Sequence, residues 1–197
     1  MKTTTKNCED MSDKELVKRS LQDVDYFACI YERYEQKLIW YILRISSFSL
    51  EEAEDVLQEA FIKAWKNLNE FDENLKFSSW IYRIVHNTTI TEWKKSRSYG
   101  KDKRQELDEE IFQNLPSSLD IEKEANQKFD KKNIQKVLRL MPENYREILV
   151  LKFLEEKNYK EISDILKKPN GTIATLINRA KKSFYETAKE KNISFII

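Results

Sequence analysis

The sequence predicts an all-α protein of two small helical domains joined by an acidic linker, the second carrying a helix-turn-helix. Three observations lead there. Only 2 glycines and 3 prolines occur in 197 residues, too few for the tight turns that a protein of many short strands needs. Apolar residues recur at three- and four-residue spacing, the helical period, rather than at alternate positions. The charges are uneven although they sum to only +1. Lys94, Lys95, Arg97, Lys101, Lys103 and Arg104 stand against the single acid Asp102. From Glu106 to Asp130 the sign reverses, with eight acids opposed only by Lys123 and Lys128. A chain with 35% charged and 40% hydrophobic residues has small cores and much surface, which favours two modest domains over one large one.

The first domain is expected over residues 12–98. Ser12 and Glu15 read as a helix start leading into Leu16, Val17 and Leu21. A second helix, roughly Asp25 to Ser46, carries Phe27, Ile30, Tyr31, Tyr34, Leu38, Tyr41 and Ile42 as its core stripe. Ser49 caps a third, with Glu52 at the capping-box position, ending near Asn69. On this helix Val56, Leu57, Ala60, Phe61, Ala64 and Leu68 share one side, while Asp55, Gln58, Glu59, Ile62 and Lys66 line the other. After a polar loop from Glu70 to Lys76, a fourth helix from about Ser78 to Lys95 places Trp80, Arg83, Asn87, Thr91 and Lys94 or Lys95 on one side. Ile81, Ile84, Val85 and Thr88 lie opposite. Four such helices make a bundle with short connections.

Residues 99–128 form the linker, where Gly100 and the turn-like Leu115-Pro116-Ser117-Ser118 interrupt the acidic run. Ile111, Phe112, Leu115 and Leu119 allow a short helix docked on a partner. The second domain, 129–190, holds four segments: Lys131 to Leu140, Glu143 to Glu155, Tyr159 to Lys168, and Thr172 to Lys189. Between the last two, Pro169-Asn170-Gly171 stops one helix and Thr172 is expected to cap the next. Ile162, Ile165, Leu166, Ile173 and Ile177 would hold this pair crossed. Thr172, Ala174, Thr175, Asn178, Lys181 and Lys182 then face outward, where hydroxyls and amides can read base edges and lysines neutralise phosphates.

Several function classes are disfavoured. Cys8 and Cys29 lack CxxC spacing and His86 is the only histidine, so neither a zinc site nor a disulfide framework is expected, and both thiols are read as reduced and incidental. No nucleophile–base pair or phosphate-binding glycine loop is apparent, so neither an enzyme nor a cofactor is expected. The N-terminus has no apolar leader and no run approaches a membrane span, so a cytoplasmic protein without membrane insertion is expected. Two classes stay open on the residues alone: a helix-turn-helix protein that binds duplex DNA, or a helical adaptor whose polar faces are merely solvated. Aromatics beside basic residues suit single-stranded nucleic acid, yet Phe71, Phe77, Trp80 and Tyr82 serve equally well as core.

Ala53 to Trp65, Phe77 to Asn87, Leu140 to Leu149 and Tyr159 to Lys182 together resemble bacterial RNA polymerase sigma factors of the extracytoplasmic-function group, over most of residues 12–190. The resemblance implies a sigma factor that binds core RNA polymerase, directs it to specific promoters and promotes their opening. It implies that Asp55, Gln58, Glu59 and Ile62 dock on the clamp helices of the largest polymerase subunit. Asp72, Glu73, Asn74, Leu75 and Lys76 would form a pocket for a flipped minus-ten base, read with Trp80, Arg83 and Asn87. Thr172, Thr175, Asn178, Arg179, Lys181 and Lys182 would read the minus-thirty-five element. The chain departs from the family at Ala174 and Leu176, where cationic residues are frequent, so upstream recognition is expected to be weaker or different. The linker would thread a basic polymerase channel, and an anti-sigma factor is a further partner the resemblance allows.

Overall fold

In the computed structural model, residues 8–98 and 124–194 are described, with the backbone alone over 124–131. The chain divides into two compact units, Met1–Asp102 and Lys103–Ile197.

In the first unit α1 spans Asp13–Ser20, and the Ser12 side chain accepts the Glu15 amide to cap it. α2 (Asp25–Ile45) buries Ile30, Tyr34, Leu38, Tyr41 and Ile42, most of the expected stripe. Phe27 and Tyr31 of that stripe are half-buried and reach sideways to Phe61 of the next helix. α3 (Leu50–Lys66) opens on a complete capping box: the Glu52 amide donates to Ser49 Oγ at 3.2 Å and the Ser49 amide to Glu52 Oε2 at 2.8 Å. A 3-10 turn, Leu68–Glu70, buries Leu68 and ends the helix. α4 runs Phe77–Ser98, longer than the pattern suggested, and its Ile84, expected inside, is only half-buried. α2 packs against α1, α3 and α4, and α3 packs along α4. Within this core Tyr41 Oη lies 2.9 Å from Nδ1 of the buried His86.

The expectation that Cys8 and Cys29 are unrelated, incidental thiols is corrected, because the fold brings the two together and they are joined by a disulfide. They lie 21 residues apart in sequence, and the turn between α1 and α2 folds the N-terminal segment back along α2. Sequence spacing rules look for near neighbours and cannot see such a reversal.

In the second unit the helix expected from Lys131 begins at Glu124, as α5 (Glu124–Leu140). The rest of the expected linker, 99–123, lies outside the described residues, with Ile111, Phe112, Leu115, Leu119 and the basic Lys101, Lys103 and Arg104. α6 (Glu143–Leu149) does not continue as a plain α-helix to Glu155; it loosens into a π turn over Val150–Leu154, closed by the Glu155 amide on Val150 O at 2.9 Å. α7 (Tyr159–Leu166) and α8 (Asn170–Glu190) complete the unit. α5, α6 and α7 all pack on α8.

Arg146 joins α5 to α6. It is 5% exposed, and its guanidinium donates to the C-terminal carbonyls of α5: Nε to Leu138 O at 2.9 Å, Nη2 to Arg139 O at 3.1 Å and to Met141 O at 3.3 Å. Carbonyls at a helix C-terminus have no partner within their own helix and carry the negative end of its dipole, so a buried cation there satisfies both demands. Arg146→Ala strands these acceptors and is expected to lower the opening free energy of α6 amides, measured by hydrogen exchange, by about 3 kcal/mol. A loss below ~1 kcal/mol would show that water replaces the guanidinium at little cost.

Candidate nucleic-acid and partner interfaces

Three surfaces carry the residues singled out from the sequence. The first is the outer face of α3. Ala53, Val56, Leu57, Ala60, Phe61 and Ala64 are buried, which turns Asp55, Gln58, Ile62 and Lys66 to solvent. Ile62 is 50% exposed in an otherwise polar row. Glu59 is half-exposed and pairs with Lys63 at 2.6 Å, and Lys63 Nζ also reaches Thr88 Oγ1 of α4 at 3.4 Å. Glu59 is therefore held at the edge of the face by its own helix. Trp65 belongs to this face and was missed: it is 39% exposed and packs at a tilt against Phe27 with ring centroids 5.0 Å apart. Its position three residues after Ile62 and seven after Gln58 was the available signal.

The second surface is the loop before α4 and the outer side of that helix. Asp72 organises the loop: its Oδ1 accepts the Asn74 amide and the Asn74 side-chain Nδ2, both at 2.9 Å, and its carbonyl accepts the Leu75 amide at 2.9 Å. Asp72, Glu73, Asn74 and Lys76 are exposed and Leu75 half-buried. Such an Asx turn preshapes a short loop and lowers the ordering cost of any ligand it meets. Residues 73–78 and the start of α1 enclose a cleft of ≈ 330 Å³, whose far wall is Ser12, Asp13 and Lys14. No local sequence signal announces that wall. Asp13 is fixed there by Arg33 at 2.8 Å and by the Tyr34 hydroxyl, which donates to it. Burial, then the bond to Asp13, push the Tyr34 phenol well above its usual range, so it stays a donor.

Along α4, Arg83 is half-buried, and Asn87, Thr91, Lys94, Lys95 and Arg97 are exposed, forming the expected polar stripe. Trp80 does not join it. The expectation that Trp80 lies on the outward stripe is corrected: it is 5% exposed, with its ring centroid 5.5 Å from those of both Phe71 and Phe77. The loop's aromatic anchor, Phe71, packs edge-on against Trp80 and helps to bury it.

The third surface is α8. Asn158 and Glu161 cap α7 with a reciprocal box, and α7 ends at Lys167, which takes the left-handed conformation (φ 52°) usually left to glycine. Pro169 precedes the first turn of α8, so Thr172 lies inside that turn instead of capping it. Ile162, Ile165, Ile173, Ile177 and Ala180 form the seam between the helices. Thr172, Thr175, Asn178, Arg179, Lys181 and Lys182 are all exposed, whereas Ala174 and Leu176 are half-buried. Thr175 Oγ1 donates to Gly171 O at 3.0 Å, which fixes its rotamer. Lys181 Nζ sits 5.2 Å from the ring centroid of Phe153, which the π turn presents beneath it.

Comparison with known proteins decides the family. A model of sigma-70 region 2 matches residues 30–99, and one of sigma-70 region 4 matches residues 131–184. The chain is 33% identical over 187 residues to the extracytoplasmic-function sigma factor SigW of Bacillus subtilis, covering 92% of this chain and 99% of that protein. This chain belongs to the extracytoplasmic-function sigma factors. The RNA polymerase sigma-H factor of Pseudomonas aeruginosa is 30% identical, over 87% of this chain and 91% of that one. The structure of CnrH in complex with the cytosolic domain of CnrY superposes with a TM-score of 0.63 at 17% identity, covering 90% of this chain and 97% of that one, which attests the fold. So does that of the sigma factor RpoE in complex with the anti-sigma factor NepR from Bartonella quintana (TM-score 0.61, 20% identity, 83% and 96% covered).

As a sigma factor the chain binds core RNA polymerase and directs it to promoters for transcription initiation. Among the described residues no helix is long and apolar enough to cross a membrane. This sigma factor's α4 must keep Trp80 inside to hold the loop. Trp80→Ala is expected to cost the first unit ~3–5 kcal/mol in a denaturant titration, and Lys94→Ala, at an exposed position of the same helix, less than ~0.5 kcal/mol. A Trp80→Ala chain as stable as the parent would put that ring on the surface.

Proposed function

We propose how this sigma factor divides its work among the three surfaces. The α3 face, Asp55, Gln58, Glu59 and Ile62, docks on polymerase. The Asp72–Lys76 loop with Arg83 and Asn87 receives and reads a flipped minus-ten base and so promotes opening. The α8 face, Thr172, Thr175, Asn178, Arg179, Lys181 and Lys182, reads the minus-thirty-five element. Trp80 supports the second surface from within. The protein catalyses no reaction itself, needs no cofactor and works in the cytoplasm beside its polymerase.

The observation that carries this assignment is the exposed Ile62 in the polar row of α3. With Trp65 exposed three residues on, Ile62 forms an apolar centre inside a charged rim, which supports a protein interface. The cleft between the loop and α1 supports the second role, since it is concave and its loop is already shaped by Asp72. For α8, half-burial of Ala174 and Leu176 leaves base reading to the hydroxyls and the amide, with phosphate contact left to Arg179, Lys181 and Lys182. An anti-sigma factor is a further partner, since the RpoE neighbour of the same fold was solved with one.

Two variants separate docking from reading. Asp55→Lys is expected to abolish association with core polymerase at moderate salt while the thermal unfolding curve is unchanged. Asn87→Ala is expected to keep polymerase affinity and lower open-complex formation at a cognate promoter by ~5- to 100-fold, the worth of one good base contact. Retained polymerase binding by Asp55→Lys would return the α3 face to solvent, and equal loss of both activities in Asn87→Ala would assign Asn87 to folding.

A further inference from the structure

Cys8 and Cys29 occupy a place from which a change of bond can be felt at the proposed minus-ten pocket. Cys29 lies on α2 with Arg33 one turn later, so both face the N-terminal segment. Arg33 spans that segment: Nη2 donates to Cys8 O at 2.8 Å and Nη1 pairs with Asp13 at 2.8 Å. Asp13 in turn walls the ≈ 330 Å³ cleft against Glu73, Asn74 and Lys76. The Cys8–Cys29 bond, Arg33, Asp13 and the cleft thus form one continuous chain of contacts.

We propose that Cys8 and Cys29 are a thiol–disulfide modification site, oxidised by low-molecular-weight disulfides, whose closure holds the α1 wall of the cleft in place and raises promoter opening. The proposal rests on the assignment of the Asp72–Lys76 loop to the minus-ten base. In a reducing cytoplasm the pair rests as two thiols. Cys8 is half-exposed and Cys29 only 5% exposed, so the order of attack follows from access. The Cys8 thiolate attacks one sulfur of a disulfide R–S–S–R, forms a mixed disulfide and releases R–S⁻. Cys29, as thiolate, then attacks the Cys8 sulfur and releases the second R–S⁻. Two protein thiols lose two electrons and two protons, and two R–SH are formed. The closed bond ties the N-terminal segment to α2 and restricts the open conformations that residues 8–13 can otherwise visit. Arg33 keeps its bond to Cys8 O, Asp13 stays at the wall, and less ordering is left for the base to impose on entry. The reduced chain keeps the same fold with a looser wall.

The test uses the full chain held in either dithiothreitol or oxidised glutathione. Peptide mapping without reductant should find Cys8 bridged to Cys29 within one chain after oxidised glutathione, and restored thiols after dithiothreitol. Hydrogen exchange at α1 amides should slow in the bridged form. Open complexes with core polymerase at one promoter should be several-fold more abundant with the bridged chain, while Cys8→Ser should respond to neither reagent. No bridge, a bridge between two chains, or equal opening by the bridged and reduced wild type would overturn the proposal. Asn87→Ala separates the two claims: if it lowers opening in both redox states while the wild type ignores the reagents, the thiol site fails and the pocket stands. If Asn87→Ala has no effect, the pocket assignment fails, and the thiol proposal, whose effect is routed through that pocket, falls with it.

Discussion

Burial of one side of α3 is the constraint on which the first unit depends. Ala53, Val56, Leu57, Ala60, Phe61 and Ala64 form the apolar stripe that packs α3 against both α2 and α4. Three of the six are alanines, which let the helices approach closely, and the larger three fill the gaps between them. At ~25 cal/mol per Å² of apolar surface the three larger residues outweigh any surface ion pair on the same helix. Once this side is fixed, the rotation of α3 is fixed, and Asp55, Gln58 and Ile62 have nowhere to go but outward. The outward polar face of α3 is thus a consequence of core packing, not an independent feature.

The second unit reaches the same end by different means. Its core is small, and Arg146 supplies what apolar burial alone does not, a polar tie between the end of α5 and the body of α6. The π turn that follows widens the backbone for one turn, a departure often found where a side chain must be re-aimed. Here it lays Phe153 under Lys181 and sets Lys152 5.3 Å from the Tyr159 ring centroid. Lys152 precedes the helix-turn-helix and Lys181 lies on its second helix, and the rings hold both without neutralising their charge, which a carboxylate would do. Lys182, by contrast, leans toward Glu186 at 3.8 Å in full solvent, a weak restraint.

Features set by local period and local chemistry were legible in the sequence. The α3 stripe and the Ser49–Glu52 box follow from spacing alone, and the isoleucine seam of the helix-turn-helix does too. What was not legible depends on distant or backbone-level choices. Trp80 sits at a helical position shared with Asn87, but the loop folds Phe71 back over it, a contact that no periodicity encodes. Lys167 ends α7 in a left-handed conformation, so the turn begins earlier than Pro169-Asn170-Gly171 suggested. Cys8 meets Cys29 only because α1 folds back on α2. The candidate site was readable as a set of outward residues, whereas its concave part, the wall made by Ser12, Asp13 and Lys14, required the fold.

The central claim is that two separate helical units present their surfaces to one polymerase and one promoter. Its most direct measurement is transcription by core polymerase, with and without the purified chain, on a pool of promoter fragments, with the transcript ends sequenced. The account predicts new start sites that appear only with the chain and share two upstream elements at a fixed spacing. Start sites identical to those of core polymerase alone, with the chain bound to the DNA fragments regardless, would contradict it.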